Sequence, residues 1–368
     1  AYRDAHIRIF LLLPFAGLLI VFLYQKLGSQ DGGTNQVLAT IKSKDKIPFI
    51  SAPLIFLSTL LTHLTGGSAG REGAALQIGG SLGNLLGKIV HLDDEDRHVL
   101  IMCGMSAAFA ALFGTPMAAA VFSMEMVSVG VMYYSALVPC VMSALIGAHL
   151  ASTFGVHAEK FTIVSIPLFS IDGAAKTVLL GILCAAVSIL LCIILHKVGG
   201  LLKTYIKNVY LRAIVSALIV IVFAFLLPDG KSYLGSGSNL IEQSIQEETI
   251  FPAAFLIKML FTAFTLGGGF KGGEIVPSFC VGASFGCFFG SLAGFAPSLC
   301  AAMGMVAVFC GVTNCPITSI LIAFELFGYM ILAIAVSYAM SGYYGLYADQ
   351  TIVYSKYRTK FINRKTNH

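Results

Sequence analysis

The sequence predicts an all-α polytopic membrane protein made of two related halves, and three observations carry that prediction. Hydrophobic residues make up 57% of the 368 and charged residues only 11%, with a mean hydropathy of +0.86. A soluble chain of this length needs a far more charged surface. Apolar runs recur from 9–24 through 315–340, several of them shorter than the roughly 20 residues that cross about 30 Å of hydrocarbon. Short segments broken by Gly or Pro survive at membrane depth only where their backbone is buried in protein or lines a wet cavity. Finally, GMSAAFAALFGTPMAAAVFSME (104–125) lies without a gap over GMVAVFCGVTNCPITSILIAFE (304–325), sharing Gly, Met, Ala, Phe, Pro and the closing Glu.

The copy extends outward from that core. GTNQVLATI (33–41) matches GSNLIEQSI (237–245), and the Gly-rich stretch near 70 answers LGGGFKGGE near 270. Halves at 1–196 and 197–368 follow. Two glycine-interrupted membrane repeats read as a transporter whose ion site lies at the repeat interface.

Taken in chain order, the first apolar run follows Arg3 and Arg8. Its length, and the lack of a small-residue cleavage motif, favour a spanning helix over a signal peptide. GGTNQ (32–36), with GSGSN (235–239) as its mate, is small, polar and flexible, so Gly33, Thr34 and Asn35 form a candidate pore loop; the competing reading is an exposed connection. The string GGSAGREGAALQIGG (66–80) sets glycines before a helix start, where unpaired N–H groups and the helix dipole attract an anion. Glu72 stands at that point. Its carboxylate can occupy an anion site itself or vacate it by taking a proton, which makes it a candidate gate; alternatively it pairs with Arg71 or caps the helix.

LGGGFKGGEIVPSFCVGASFG (266–286) repeats the design with one cation, one acid and Pro277 in a first turn, where the missing N–H has no partner to lose. Glu274 is therefore a second candidate, since intramembrane acids are functional by default. Glu125 and Glu325, closing their apolar stretches, read as structural caps or pairs. The nine cysteines are scattered through apolar runs without CxxC and read as small buried hydrophobes, so no metal site or cofactor is expected. Lys203, Lys207 and Arg212 mark a cytoplasmic middle loop. The tail KYRTKFINRKTNH, with five basic residues and no acid, places the C-terminus in the cytoplasm. No soluble domain is expected after residue 350.

Together these strings resemble the CLC family of anion channels and proton-coupled anion antiporters, over about 30–355. GREGAALQ is similar to the family's GREGP-x-x-Q segment, with Ala74 in place of proline. GGEIVP (272–277) is similar to GxFxP, with Ile275 for Phe. GGTNQ stands where the family has GSGIP and lacks that serine and proline. The resemblance implies two inverted-topology halves of tilted and re-entrant helices, sixteen to eighteen helical segments, and a homodimer with one pore per subunit and without cytosolic regulatory domains. The missing serine and the extra acid Glu274 are most similar to the fluoride/proton antiporter branch, although Val276 stands where that branch often has threonine.

By this resemblance Glu72 is the gating and proton-coupling residue and Glu274 the second pore acid. Backbone amides of Gly73, Ala74, Glu274, Ile275 and Val276 coordinate the anion. The central tyrosine maps onto Tyr354, with Tyr347 as second choice, and an inner proton-entry residue onto His157 or Glu159. The implied activity is proton-coupled antiport that exports fluoride; the alternative is a chloride channel or chloride/proton antiporter of the same fold. Fluoride or chloride, protons, a second copy of the chain and the lipid bilayer are the partners, with no nucleic acid, and the site is the inner or plasma membrane. An enzyme is disfavoured: neither HExxH nor GxxxxGK[ST] occurs in the sequence.

Overall fold

The apolar runs fold as helices whose breaks fall where glycine, proline or polar clusters interrupt them. The computed structural model describes residues 7–27, 33–42, 48, 50–156, 161–164, 167, 170–227, 229–327, 337–338, 340–347, 350–354 and 361–367. In the first half α1 (Leu13–Lys26), α2 (Thr34–Lys42), α3 (Ser51–Leu64), α4 (Glu72–Ile89), α5 (Asp94–Phe113), α6 (Pro116–Glu125) and α7 (Leu137–Thr153) follow in order. Then come α8 (Ile171–Tyr205), α9 (Val209–Leu226), α10 (Ser238–Glu242), α11 (Ala254–Gly267), α12 (Ile275–Ala293), α13 (Pro297–Thr313) and α14 (Pro316–Phe327).

Fourteen α-helices thus stand among the described residues. Six helical segments are long and apolar enough to cross a membrane, while α3, α11, α13 and α14 are shorter apolar helices. The seam expected between residues 196 and 197 falls inside α8, which runs unbroken for 35 residues. All nine cysteines are buried.

The two halves correspond along α3–α6 and α11–α14. Helices α3 and α11 are each 14 residues long, and laying them end on end matches Thr59 to Thr262 and Thr62 to Thr265. Each half also contains the same close helix crossing. A Cβ on Gly79 would strike the Gly104 carbonyl, and one on Gly282 the Gly304 carbonyl. Only glycine allows backbones to approach so closely, and these two crossings anchor α4 on α5 and α12 on α13.

Hydrogen bonds between the halves are reciprocal. Glu125 accepts from the N–H groups of Ile317 and Thr318 at 3.1 and 2.8 Å, while Glu325 accepts from those of Met117 and Ala118 at 3.0 and 2.9 Å. The Ser68 N–H donates to Thr265 Oγ1 and the Lys271 N–H to Thr62 Oγ1. Contacts in which i meets j′ and i′ meets j are the signature of a two-fold relation. The expected caps at Glu125 and Glu325 are therefore present, but each closes the first turn of the other half's helix.

A small sheet not anticipated from the hydropathy joins the C-terminal segment to the first half. β1 (Ser128–Val129) pairs parallel with β2 (Thr351–Tyr354), which pairs antiparallel with β3 (Phe361–Lys365). The β-branched and aromatic residues in TIVY (351–354) and FIN (361–363) suit such strands.

Candidate functional site

The site forms where the starts of α4 and α12 meet. Gly70 and Gly273 exchange both backbone hydrogen bonds at 2.7 Å, forming a two-residue antiparallel bridge between the Gly-rich loops. The next residues are the N-caps, Arg71 and Glu274, with nearly identical backbones: φ −100°, ψ −15° and φ −108°, ψ −12°. Glu274 is therefore the repeat mate of Arg71, and Ile275 the mate of Glu72. The two acids come from different positions of the shared design.

Glu72 is fully buried, and its carboxylate crosses to the other half. Oε1 accepts from the Ile275 N–H at 2.6 Å and the Val276 N–H at 3.0 Å, the first free donors of α12. Oε2 is buried without a hydrogen-bond partner among the described residues. The seat exists because its walls are glycine: a Cβ on Gly70 or Gly273 would overlap the carboxylate. The Glu72 carboxylate thus caps α12, the helix of the other half.

A cavity of about 210 Å³ opens beside this seat, lined by Gly33, Thr34, Asn35, Glu72, Gly73, Glu274, Ile275 and Tyr347 among others. The candidate loop residues Gly33, Thr34 and Asn35 and both acids are thus brought together. Glu274 is half-buried. Ala74 and Val276 do not line the cavity among the described residues; Ala74 is packed in α4, and Val276 contributes only its amide to Glu72.

Of the two candidate tyrosines, Tyr347 faces the cavity. Its segment is held from several sides: the Gln350 N–H and the Thr366 hydroxyl donate to the Tyr347 carbonyl, and Gln350 Nε2 donates to the carbonyls of Thr313 and Met126. Tyr354 lies on β2 opposite Phe361, and its side chain lies outside what the structure describes. His157 and Glu159 lie outside the described residues. Sequence reasoning missed Ile55, Gln77, Phe270 and Lys271 as lining residues. For Gln77 the signal was available, since it closes the motif that begins at Gly70.

This geometry has clear relatives. The sequence model of the voltage gated chloride channel family, Voltage_CLC, matches residues 16–344. The chain belongs to the CLC family. A "Chloride/fluoride channel protein" of Pseudomonas syringae pv. tomato is 36% identical over 97% of this chain and 81% of its own length. A crystal structure of a CLC-type fluoride/proton antiporter superposes with a TM-score of 0.89 at 32% identity, covering 95% of this chain and 90% of that one. A slow cyanobacterial Cl−/H+ antiporter, at 20% identity and a TM-score of 0.77 over 92% of this chain and 84% of the other, shares the fold. The chain is accordingly a multi-pass helical membrane protein of the CLC fold.

Proposed function

We propose that this CLC protein exchanges fluoride for protons, with Glu72 as the coupling residue. One observation carries the reading: the Glu72 carboxylate occupies two helix-start amides with Oε1 and leaves Oε2 buried without a hydrogen-bond partner among the described residues. A buried unpaired carboxylate oxygen is costly, and taking a proton is one way to relieve that cost. Once protonated, Glu72 loses its charge and holds the Ile275 and Val276 amides less firmly, so an anion can take them. When the anion leaves, the ionised carboxylate returns. Anion and proton movements are thereby tied to one side chain.

Glu274 supports fluoride over chloride. Two ionised carboxylates facing one cavity would repel an anion, so filling the site favours protonation of at least one. A protonated carboxyl donates a strong hydrogen bond to fluoride, a small ion and an avid acceptor. The fluoride transport named in the two relatives above 30% identity agrees with this. Homodimer assembly, placement in the inner or plasma membrane and a cytoplasmic C-terminus belong to the same proposal, the last from the five basic residues of the tail.

Anion efflux from proteoliposomes, with external pH recorded, tests it in wild type and Glu72→Gln. Fluoride-selective efflux with opposite proton movement is expected, the proton movement vanishing in the variant. Equal chloride efflux would move the protein to chloride transport. Proton movement that survives in Glu72→Gln would remove the coupling role from Glu72.

A further inference from the structure

The two-fold relation between the halves implies two equivalent vestibules, yet only one is the cavity beside Glu72. Its lining includes Ile55 on α3, Gln77 on α4 and Lys271 in the loop before α12. The aligned helices and the Gly70–Gly273 bridge give each of these a mate: Lys258 for Ile55, Cys280 for Gln77 and Ser68 for Lys271. Gly237 answers Gly33, both with positive φ.

These mates also cluster, but their space is filled. Lys258 is 0% exposed, in a chain where intramembrane charge is expensive. Its ammonium donates to Ser68 Oγ at 2.9 Å, the Tyr233 carbonyl at 3.0 Å and the Gly235 carbonyl at 2.7 Å. A Cβ on Gly237 would meet Lys258 Cε and Cys280 Sγ, each at 2.9 Å, whereas one on Gly33 would come no nearer than 3.5 Å to Gln77. In the open vestibule the lysine is instead Lys271, turned over the Tyr24 ring at 4.5 Å.

We propose that Lys258 seals the mate of the ion cavity and is a positioning residue for transport. Its side chain occupies the second vestibule as a tethered cation and ties the 233–237 loop to Ser68. Ser68 in turn is held by Thr265 and Thr262 and begins the short loop that delivers Glu72 to α12. The seal leaves one path, and the tie fixes the coupling residue at its mouth. The second role rests on the function proposed above; the seal does not.

Cys280, buried at the sealed site, is a native reporter. The full chain in proteoliposomes is treated with a small anionic thiol reagent, and labelling at Cys280 and at Cys184, buried elsewhere in α8, is read by mass spectrometry. In Lys258→Met, Cys280 is expected to react about tenfold faster while Cys184 is unchanged, with fluoride efflux exceeding its proton counter-movement. Lys258→Arg, which keeps a cation in place, stays close to wild type. Lys258→Met with wild-type labelling at Cys280, or with Cys184 rising in parallel, overturns the seal. Should Lys258→Met fail to fold, Ser68→Ala removes one acceptor and carries the same test, a smaller rise at Cys280 being expected and none overturning the proposal. Faster Cys280 labelling in a protein whose wild type moves no protons would refute the antiport reading and leave the seal standing.

Discussion

The halves of this protein meet at two carboxylate-on-helix-start junctions, and the contrast between them separates structure from function. At α6 and α14 the arrangement is symmetric: Glu125 and Glu325 each cap the other half's helix. At α4 and α12 the symmetry is broken. Glu72 caps α12, but its mate is Ile275, so no equivalent carboxylate returns to α4. In exchange the second half places an acid one residue earlier, at Glu274, beside the cavity. Reciprocal capping satisfies both ends and leaves little reason to move. One-way capping leaves a side chain with somewhere to go and a donor pair that an anion can use.

The contrast is most sharply tested by closing the asymmetric seat. Gly273→Ala puts a methyl group where the Glu72 carboxylate sits, and fluoride flux should fall by about 100-fold, the scale of a misplaced reacting group. Unchanged flux in liposomes would mean that this seat lies outside the transport cycle.

At the symmetric junction the expected loss is in stability. Glu125 makes three hydrogen bonds, including one to the Thr318 hydroxyl, and is buried, whereas Glu325 makes two and is half-buried. Thermal unfolding in detergent should show Glu125→Ala costing roughly 2 kcal/mol and Glu325→Ala about 1 kcal/mol, as for charged helix caps. Proton-to-fluoride ratio should be unaltered in both. A changed ratio would make this junction part of the coupling machinery after all.

The smallest effect is expected at the tyrosine. Tyr347→Phe removes one hydroxyl from a cavity-lining ring and should lower fluoride flux about fivefold, the worth of one hydrogen bond, while Tyr354→Phe leaves it unchanged. The opposite ranking in an efflux assay would restore Tyr354 as the cavity residue.

The membrane class, the two repeats, both glycine-broken helix starts and the acids Glu72 and Glu274 were legible in the sequence. Each is a local property: apolar run length, a gapless internal match, glycines ahead of a helix, and a charge where charges are rare. The CLC resemblance came from the same strings. The residue at which the halves part was not legible, because the polar step at His196 and Lys197 that ends an apolar run lies inside the continuous helix α8. What tertiary structure alone decided is where side chains are seated across the two-fold relation. Glu72 is seated on α12, the Tyr347 ring stands at the cavity, and Lys258 fills the mate of the vestibule that Ile55 lines. Glu72 and Lys258 each reach a partner in the opposite half of the chain. Repeats keep the backbone plan because helix starts and glycine crossings are satisfied locally, whereas the occupant of each vestibule depends on packing between distant segments that no local pattern records.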